Sequence, residues 1–150
     1  MRRTADGGVE LQLGNEERAL LLGLAAEVRS LLDDVPDDPA LRRLTPPAYE
    51  DEADERAYRD LMGGELLDGR RDALELLART AGQERLTADE ADSWLRALND
   101  LRLVLGTRLD VQEDTFAEEP DWNDPRGQAL AVYGYVSWLQ EQLVEALSPD

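Results

Sequence analysis

The residues best suited to chemistry lie on the third of four predicted helices. Asn99 and Arg102 are three positions apart and Gly106 follows four positions later, with Asp100 and Arg108 close by. Residues at these spacings share one side of a helix. An amide, a carboxylate and two guanidinium groups can recognise a polar partner through charge-assisted hydrogen bonds. This set therefore indicates a recognition surface and not a catalytic centre.

The same polar set also has a structural interpretation, which we favour. Asn99 and Arg102 would bond to a neighbouring loop or helix end, and Gly106 would allow another helix to approach closely. Polar groups in a protein interior are usually bonded for structural reasons.

A second candidate surface is the acidic loop, residues 110–124. Phe116 and Trp122 stand in this loop beside an acidic cluster formed by Glu113, Asp114, Glu118, Glu119 and Asp121. Large aromatic side chains anchor many protein interfaces, and they also fill protein cores. Both alternatives stay open here: the two aromatics anchor a basic partner, or they fold back over the helices.

Composition excludes most familiar catalytic machinery. The chain contains no Cys and no His. It therefore cannot form a disulfide, a thiol switch, a Cys/His zinc site or a nucleophile served by imidazole. The acidic clusters Glu50–Glu55 and Glu113–Asp121 offer oxygen ligands for Ca²⁺ or Mg²⁺, but neither matches an EF-hand loop, and solvated acidic surfaces are the favoured interpretation. We predict no enzyme activity, no cofactor and no metal site.

Charge points to protein partners. With 34 acidic and 16 basic residues, the formal net charge is -18. A nucleic-acid backbone would be repelled by this surface, so direct nucleic-acid binding is disfavoured. The longest apolar segment near the N-terminus, Leu20–Ala26, is too short to span a membrane. We expect a cytoplasmic protein.

The apolar spacing predicts one mainly α domain, a bundle of four principal helices with a short N-terminal β element. Asp6–Gly8 could turn a short hairpin in that element. Asn15, a capping box from Thr87 to Glu90, and Asp124 before Pro125 mark three helix starts. Gly63 and Gly64 weaken the second helix enough to predict a kink or break. The predicted segments are a β element at 1–14, helices at 15–32, 56–80, 87–109 and 125–147, an acidic Pro-rich connection at 33–55 and the acidic loop at 110–124.

The third and fourth helices carry broad apolar surfaces. The spacing of Trp94 and Trp138 within them is typical of core positions or of a self-association seam. The third helix is expected to be central to the bundle. Monomer and homodimer both stay open, because the apolar surface can be covered internally or by a second copy.

Two segments resemble a known family. They are Trp94–Leu109, which reads WLRALNDLRLVLGTRL, and Leu130–Leu143, which reads LAVYGYVSWLQEQL. With the acidic loop between them, they are similar to an actinobacterial family long filed as a domain of unknown function, better known as the oxidative-stress regulator family. The resemblance extends over nearly the whole chain, although only these two helices carry specific motifs.

The resemblance implies a cytoplasmic regulator of transcription that acts beside a sigma factor or another RNA polymerase component. In at least some members of the family, oxidant sensing is attributed to a pair of cysteines near the N-terminus. That sensor cannot exist in a chain without cysteine. Gene neighbourhoods in the family also imply a second role, as an adaptor or assembly protein linked to Clp proteolysis or to sulfur-transfer proteins.

Overall fold

Four helices make up most of the chain in the computed structural model, which describes residues 1–34, 38–41, 43–44 and 51–148, without the side chains of residues 55 and 58–66. The helices are α1 (Asn15–Asp34), α2 (Glu52–Thr80), α3 (Ala88–Arg108) and α4 (Pro125–Leu147). The prediction of a mainly α fold with a short N-terminal β element is confirmed.

Local signals set the starts of α3 and α4. The Thr87 hydroxyl accepts the Glu90 amide at 3.1 Å, and the Glu90 carboxylate accepts the Thr87 amide at 2.9 Å. This is the predicted capping box. Asp124 caps α4 by accepting the Gly127 amide at 2.6 Å, and Pro125 occupies the first turn, where no amide donor is needed.

The start of α1 differs from the prediction. Asn15 is already helical and does not cap the helix. Instead, the Glu17 carboxylate accepts the Gly14 amide at 2.8 Å. This is the half of a capping box in which the side chain in the first turn reaches back to the preceding residue.

Helix α2 also departs from the prediction. It begins at Glu52 and not at residue 56, because Asp51 accepts the amides of Ala53 and Asp54 at 2.8 and 3.2 Å. The helix is continuous through Gly63 and Gly64, so of the predicted kink or break the break is wrong. An interior glycine costs about 1 kcal/mol, and packing against other helices outweighs such local preferences. The apolar spacing of this stretch also predicts core positions for Tyr58, Leu61, Met62 and Leu66, whose side chains lie outside the described part of the chain.

A small antiparallel sheet combines two strands before α1 with one strand between α2 and α3, and it ties the N-terminus to the start of α3. Its strands are β1 (Arg2–Arg3), β2 (Val9–Glu10) and β3 (Arg85–Leu86), in that spatial order. The first two form the predicted hairpin, with Gly7 in the left-handed region at φ 87°. Strand β3 pairs Leu86 with Val9. Its two residues are too few to show alternation, so the sequence did not predict it.

Helix α3 is the centre of the bundle, as its broad apolar surface predicts. It packs against α1, α2 and α4, and against the short 3-10 helix Pro39–Leu41. Trp94 on α3 is fully buried, and its indole N–H donates to the Thr80 hydroxyl on α2 at 2.7 Å. None of the helices in the described ranges is long and apolar enough to cross a membrane.

Candidate functional site

Asp100, one of the predicted site residues, joins α3 to α2. Its side chain is buried, with 3% of the residue exposed, and accepts a hydrogen bond from Arg70 Nη1 at 2.5 Å. Arg70 Nη2 also donates to the Leu44 carbonyl at 2.7 Å. Burial raises the pKa of Asp100 above its usual 3.8, although the Arg70 charge acts in the opposite direction. These bonds hold two helices and the connecting segment together.

Asn99 and Arg102 bond to each other. Arg102 Nη2 donates to Asn99 Oδ1 at 3.1 Å, and both residues are half-buried. We predicted bonds to a neighbouring loop or helix end, but this contact lies within α3. The Arg102 Nε is buried and has no hydrogen-bond partner in the described part of the chain.

Asn99 also borders an open groove between α2 and α3. The groove has a volume of about 340 Å³, and its other lining residues are Gly69, Arg70, Ala73, Arg96 and Asp100. Arg96 is exposed there and forms no ion pair with any described side chain. The groove thus offers an accessible guanidinium beside an amide, two groups that can contact a surface carboxylate.

Gly106 allows the close helix approach that its position on α3 predicts. It is buried, and a Cβ built on it would lie 3.3 Å from the Tyr133 ring of α4. Tyr133 therefore packs directly on the α3 backbone. Arg108, at the end of α3, forms an ion pair with Glu27 of α1.

The acidic loop places its two aromatics separately. Phe116 stacks on Tyr133, with ring centroids 6.3 Å apart and planes at 11°, yet 44% of Phe116 is exposed. Trp122 is 43% exposed, and its indole N–H donates to Glu119 at 3.0 Å. Neither aromatic is buried in the core, and each presents roughly half of its surface to solvent.

Both ends of the loop are held firmly. The Val111 amide donates to the Gly106 carbonyl at 2.9 Å, and Arg126 Nη1 donates to the Leu109 carbonyl at 2.6 Å. At the other end, a Cβ on Gly127 would lie only 1.8 Å from the Asp121 carbonyl oxygen. Only glycine allows this approach, so the loop is pressed against the start of α4.

The six predicted site residues do not form one site. Asn99 and Asp100 face the groove near α2, Arg108 reaches α1, and Phe116 lies against α4. Carboxylates of the described residues do not converge in any group of three or more that could hold a metal ion. The arrangement fits separate contact surfaces better than a catalytic pocket.

Trp138 is the residue that the sequence placed least well. Its spacing suggested a core position or a self-association seam, but it is 51% exposed on α4, so a core position is wrong. Nothing in the sequence signals this exposure, because Gly127–Gln140 contains no charged residue and such a segment is typical of a buried helix. Sequence analysis also missed Arg70 and Tyr133, which contact Asp100 and Phe116. These contacts join residues far apart in the chain, so residue spacing within one helix does not reveal them.

Comparison with known proteins assigns the chain to a family. The model of the family described as "Domain of unknown function (DUF2017)" matches residues 1–147. The chain belongs to the DUF2017 family. No solved structure matches this DUF2017 chain.

Relatives of this DUF2017 chain carry a regulatory name. The protein named oxidative stress regulator AosR of Mycobacterium tuberculosis is 32% identical over 175 residues, covering 90% of this chain and 80% of the relative. The protein of the same name from Mycobacterium bovis matches with the same identity and coverage. The predicted family resemblance is confirmed over nearly the whole chain.

Proposed function

We propose that this chain is a non-enzymatic regulator that acts by binding another protein and has no cysteine switch. The relationship to proteins named oxidative stress regulators supports the regulatory role. The absence of Cys and His removes the residues that thiol or imidazole chemistry requires. Its activity would therefore depend on its surfaces.

The acidic loop is the proposed contact surface, and its half-exposed aromatics are the observation that carries the proposal. Phe116 and Trp122 are each more than 40% exposed on a loop whose ends are anchored. An aromatic side chain whose position is already fixed before binding loses little conformational freedom when it enters a pocket of the partner. The surrounding carboxylates would attract a basic surface and orient it.

The partner that fits is a protein with an apolar pocket in a basic surface. The family resemblance suggests a sigma factor or another RNA polymerase component. Asn99, Asp100, Arg102 and Arg108 are not needed for this contact, because their bonds join α3 to itself and to its neighbours. We assign these four residues a structural role within the proposal.

Capture from lysate tests the proposal. The purified protein is immobilised and exposed to lysate of a high-GC actinobacterium, and bound proteins are identified after washes at rising salt. A scrambled acidic protein of equal charge is the control for non-specific attraction. Sigma factor or polymerase components that bind the protein but not the scrambled control are the expected result.

A matched set of variants assigns the contact to the loop. Phe116→Ala and Trp122→Ala should each reduce capture about tenfold or more, as loss of an interface anchor does. Leu22→Ala removes an equally exposed apolar side chain from α1 and should leave capture unchanged. Unchanged capture by both loop variants would contradict the loop as the contact surface.

Other captured proteins would change the assignment. Enrichment of Clp or sulfur-transfer components without a sigma factor would replace the transcription role with the adaptor role. Tight sequence-specific binding of DNA by the isolated protein would overturn the protein-contact mechanism. Pretreatment with a thiol oxidant should not alter capture, since the chain has no thiol.

A further inference from the structure

The groove between α2 and α3 offers hydrogen-bond donors to a ligand but no available carboxylate among its described residues. The acidic group in its lining is Asp100, whose carboxylate accepts the Arg70 guanidinium at 2.5 Å. Only 3% of Asp100 is exposed, so a ligand can barely reach it. Arg96 lines the same groove, is exposed and forms no ion pair with any described side chain. The positive charge of Arg96 is therefore available to a ligand.

Asn99 adds donors whose direction is set by a neighbour on α3. Arg102 Nη2 donates to Asn99 Oδ1 at 3.1 Å, so the amide oxygen is directed toward Arg102 and the amide nitrogen away from it. The Asn99 Nδ2 carries two N–H donors, and neither reaches an acceptor in the described part of the chain. Because Asn99 lines the groove, these donors are available there as well.

Small residues of α2 make the groove a recess. Gly69 and Ala73 lie one helical turn apart and both line it. A Cβ built on Gly69 would meet no atom within 4 Å, so the missing side chain leaves open space. The groove volume of about 340 Å³ is at the lower end of the range for small-molecule sites, which is about 300 to 1,000 Å³. A small ligand therefore fits, and a large one does not.

The donors select the chemical class of that ligand. A guanidinium binds a carboxylate or a phosphate through two parallel N–H donors, and an adjacent amide adds another. A cation would meet the Arg96 charge without a free carboxylate among the described lining residues. An apolar molecule would cover the donors without bonding them, which costs free energy.

The charge within the groove differs in sign from that of the whole chain. The formal net charge is -18, but the described charged groups of the groove are two guanidiniums and one carboxylate. Contact at hydrogen-bond distance depends on these local groups, whereas the net charge acts at longer range and is screened by salt. An anion can therefore bind here, although the net charge lowers its affinity.

We propose that the groove between α2 and α3 binds a small organic anion through a carboxylate or phosphate group, which Arg96 and the Asn99 amide nitrogen hold. Arg102 orients the amide, and the Arg70–Asp100 pair forms one wall. With few donors and a repulsive net charge, a dissociation constant on the order of 1 mM is expected. The site does not use the acidic loop, so it stands independently of the proposed regulatory contact.

Titration followed by nuclear magnetic resonance measures this binding on the full chain. Sodium phosphate and sodium acetate are the two probes, because each carries one of the candidate groups. Sodium chloride at equal ionic strength is the control for screening. The expected result is a saturable shift of the Asn99 side-chain amide and Arg96 Nε signals with at least one probe and not with chloride. No saturable shift with either probe would overturn the proposal.

The two probes also distinguish the two kinds of ligand. Saturation by phosphate alone identifies a phosphate ester as the ligand class, and saturation by acetate alone identifies a carboxylate. Similar saturation by both shows that the groove recognises the oxygen atoms that the two groups share. Each of these results supports an anion site.

Two variants and a matched control locate the site. Arg96→Gln removes the charge, and Asn99→Asp keeps an oxygen for Arg102 while replacing the donor nitrogen with a second oxygen. Each should weaken binding about tenfold or more, as loss of a hydrogen bond to a charged group does. Arg79→Gln removes another exposed guanidinium of α2, one that does not line the groove, and should leave binding unchanged. Undiminished binding in both groove variants, or an equal loss in Arg79→Gln, would refute the assignment.

Gly69→Leu tests the recess without removing a polar group. Leucine favours a helix over glycine, and the position has open space, so the fold should be at least as stable. The added side chain should occupy the recess and reduce binding of both probes. Thermal unfolding followed by circular dichroism checks that each variant is folded. Undiminished binding by folded Gly69→Leu would place the ligand outside the groove and contradict the proposal.

Discussion

At the scale of single residues, the hydrogen bond between Trp94 and Thr80 is the clearest stabilising contact in the core. Both residues are buried, and the Trp94 indole donates to the Thr80 hydroxyl at 2.7 Å. Thr80 Oγ1 also donates to the Leu76 carbonyl at 2.7 Å. A single hydroxyl thus satisfies two buried groups, which links α3 to the last turns of α2.

Replacement of Trp94 by Phe tests this contact. Trp94→Phe removes the donor and leaves a small cavity, so the free energy of unfolding should fall by about 2 to 4 kcal/mol. Urea denaturation followed by circular dichroism measures the change. The conservative control is Trp122→Phe in the acidic loop, where the side chain is 43% exposed and a loss well under 1 kcal/mol is expected. Equal losses in the two variants would argue against a special role for the buried bond.

The raised pKa of Asp100 predicts that the stability of the fold depends on pH. Burial raises the pKa of its carboxyl in the folded protein above 3.8, so the unfolded chain releases this proton first as pH rises. Stability contributed by Asp100 is therefore fully present below pH 3.8 and falls as pH rises through the raised folded pKa. Asp100→Asn removes this dependence.

The comparison of wild type with Asp100→Asn isolates that effect from the many other carboxylates. The stability of wild type relative to the variant should decrease from acidic toward neutral pH and then level off. Urea denaturation across pH gives this difference. Asp92→Asn, an exposed site on the same helix, controls for the loss of one negative charge. A difference for Asp100→Asn that stays flat or grows with pH would contradict the prediction.

At the scale of elements, two glycines of α4 have opposite roles. A Cβ on Gly127 would collide with the Asp121 carbonyl oxygen at 1.8 Å, whereas a Cβ on Gly134 would meet nothing within 4 Å. Gly127 therefore serves the contact between the loop and the helix. Gly134 weakens the helix without serving any contact within the described part of the molecule.

Alanine at each position should reveal this difference. Gly134→Ala should raise the free energy of unfolding by about 1 kcal/mol through helix propensity. Gly127→Ala should lower it by about 1 to 3 kcal/mol, because the loop must shift to remove the clash. Urea denaturation of each variant measures the change. Stabilisation by both substitutions would show that the close approach of Asp121 is not required.

At the scale of the whole molecule, charge opposes the folded state. The formal charge of the chain is -18, and folding brings its carboxylates closer together, so they repel one another more strongly. Salt screens this repulsion. The melting temperature should therefore rise by several degrees between low and moderate sodium chloride. Thermal unfolding followed by circular dichroism measures this temperature. A melting temperature that stays constant or falls would show that favourable ion pairs, such as Arg71 with Asp33, outweigh the net repulsion.

The fold was predictable where neighbouring residues decide the structure. The capping box at Thr87, the proline start of α4 and the glycine turn of the N-terminal hairpin each depend on a few consecutive residues. The prediction failed where packing overrides local preference, as in the continuous α2. It also missed β3, which forms only because β2 lies beside it.

The candidate site was less predictable. Spacing placed Asn99, Arg102 and Asp100 near one another on α3 but could not show that Asp100 would meet Arg70 or that Phe116 would meet Tyr133. Those contacts join residues far apart in sequence, so their distances depend on how the helices pack.

The sequence alone therefore determined the mainly α class, the starts of α3 and α4, the acidic surface and the absence of thiol and imidazole chemistry, because these depend on residue identity and short spacing. Only the tertiary structure decided that the six candidate residues lie on separate surfaces and that Trp138 is exposed. The physical reason is that exposure and long-range contact follow from which helix faces are covered. Helix α3 is covered by three neighbouring helices, whereas α4 leaves Trp138 on an exposed side.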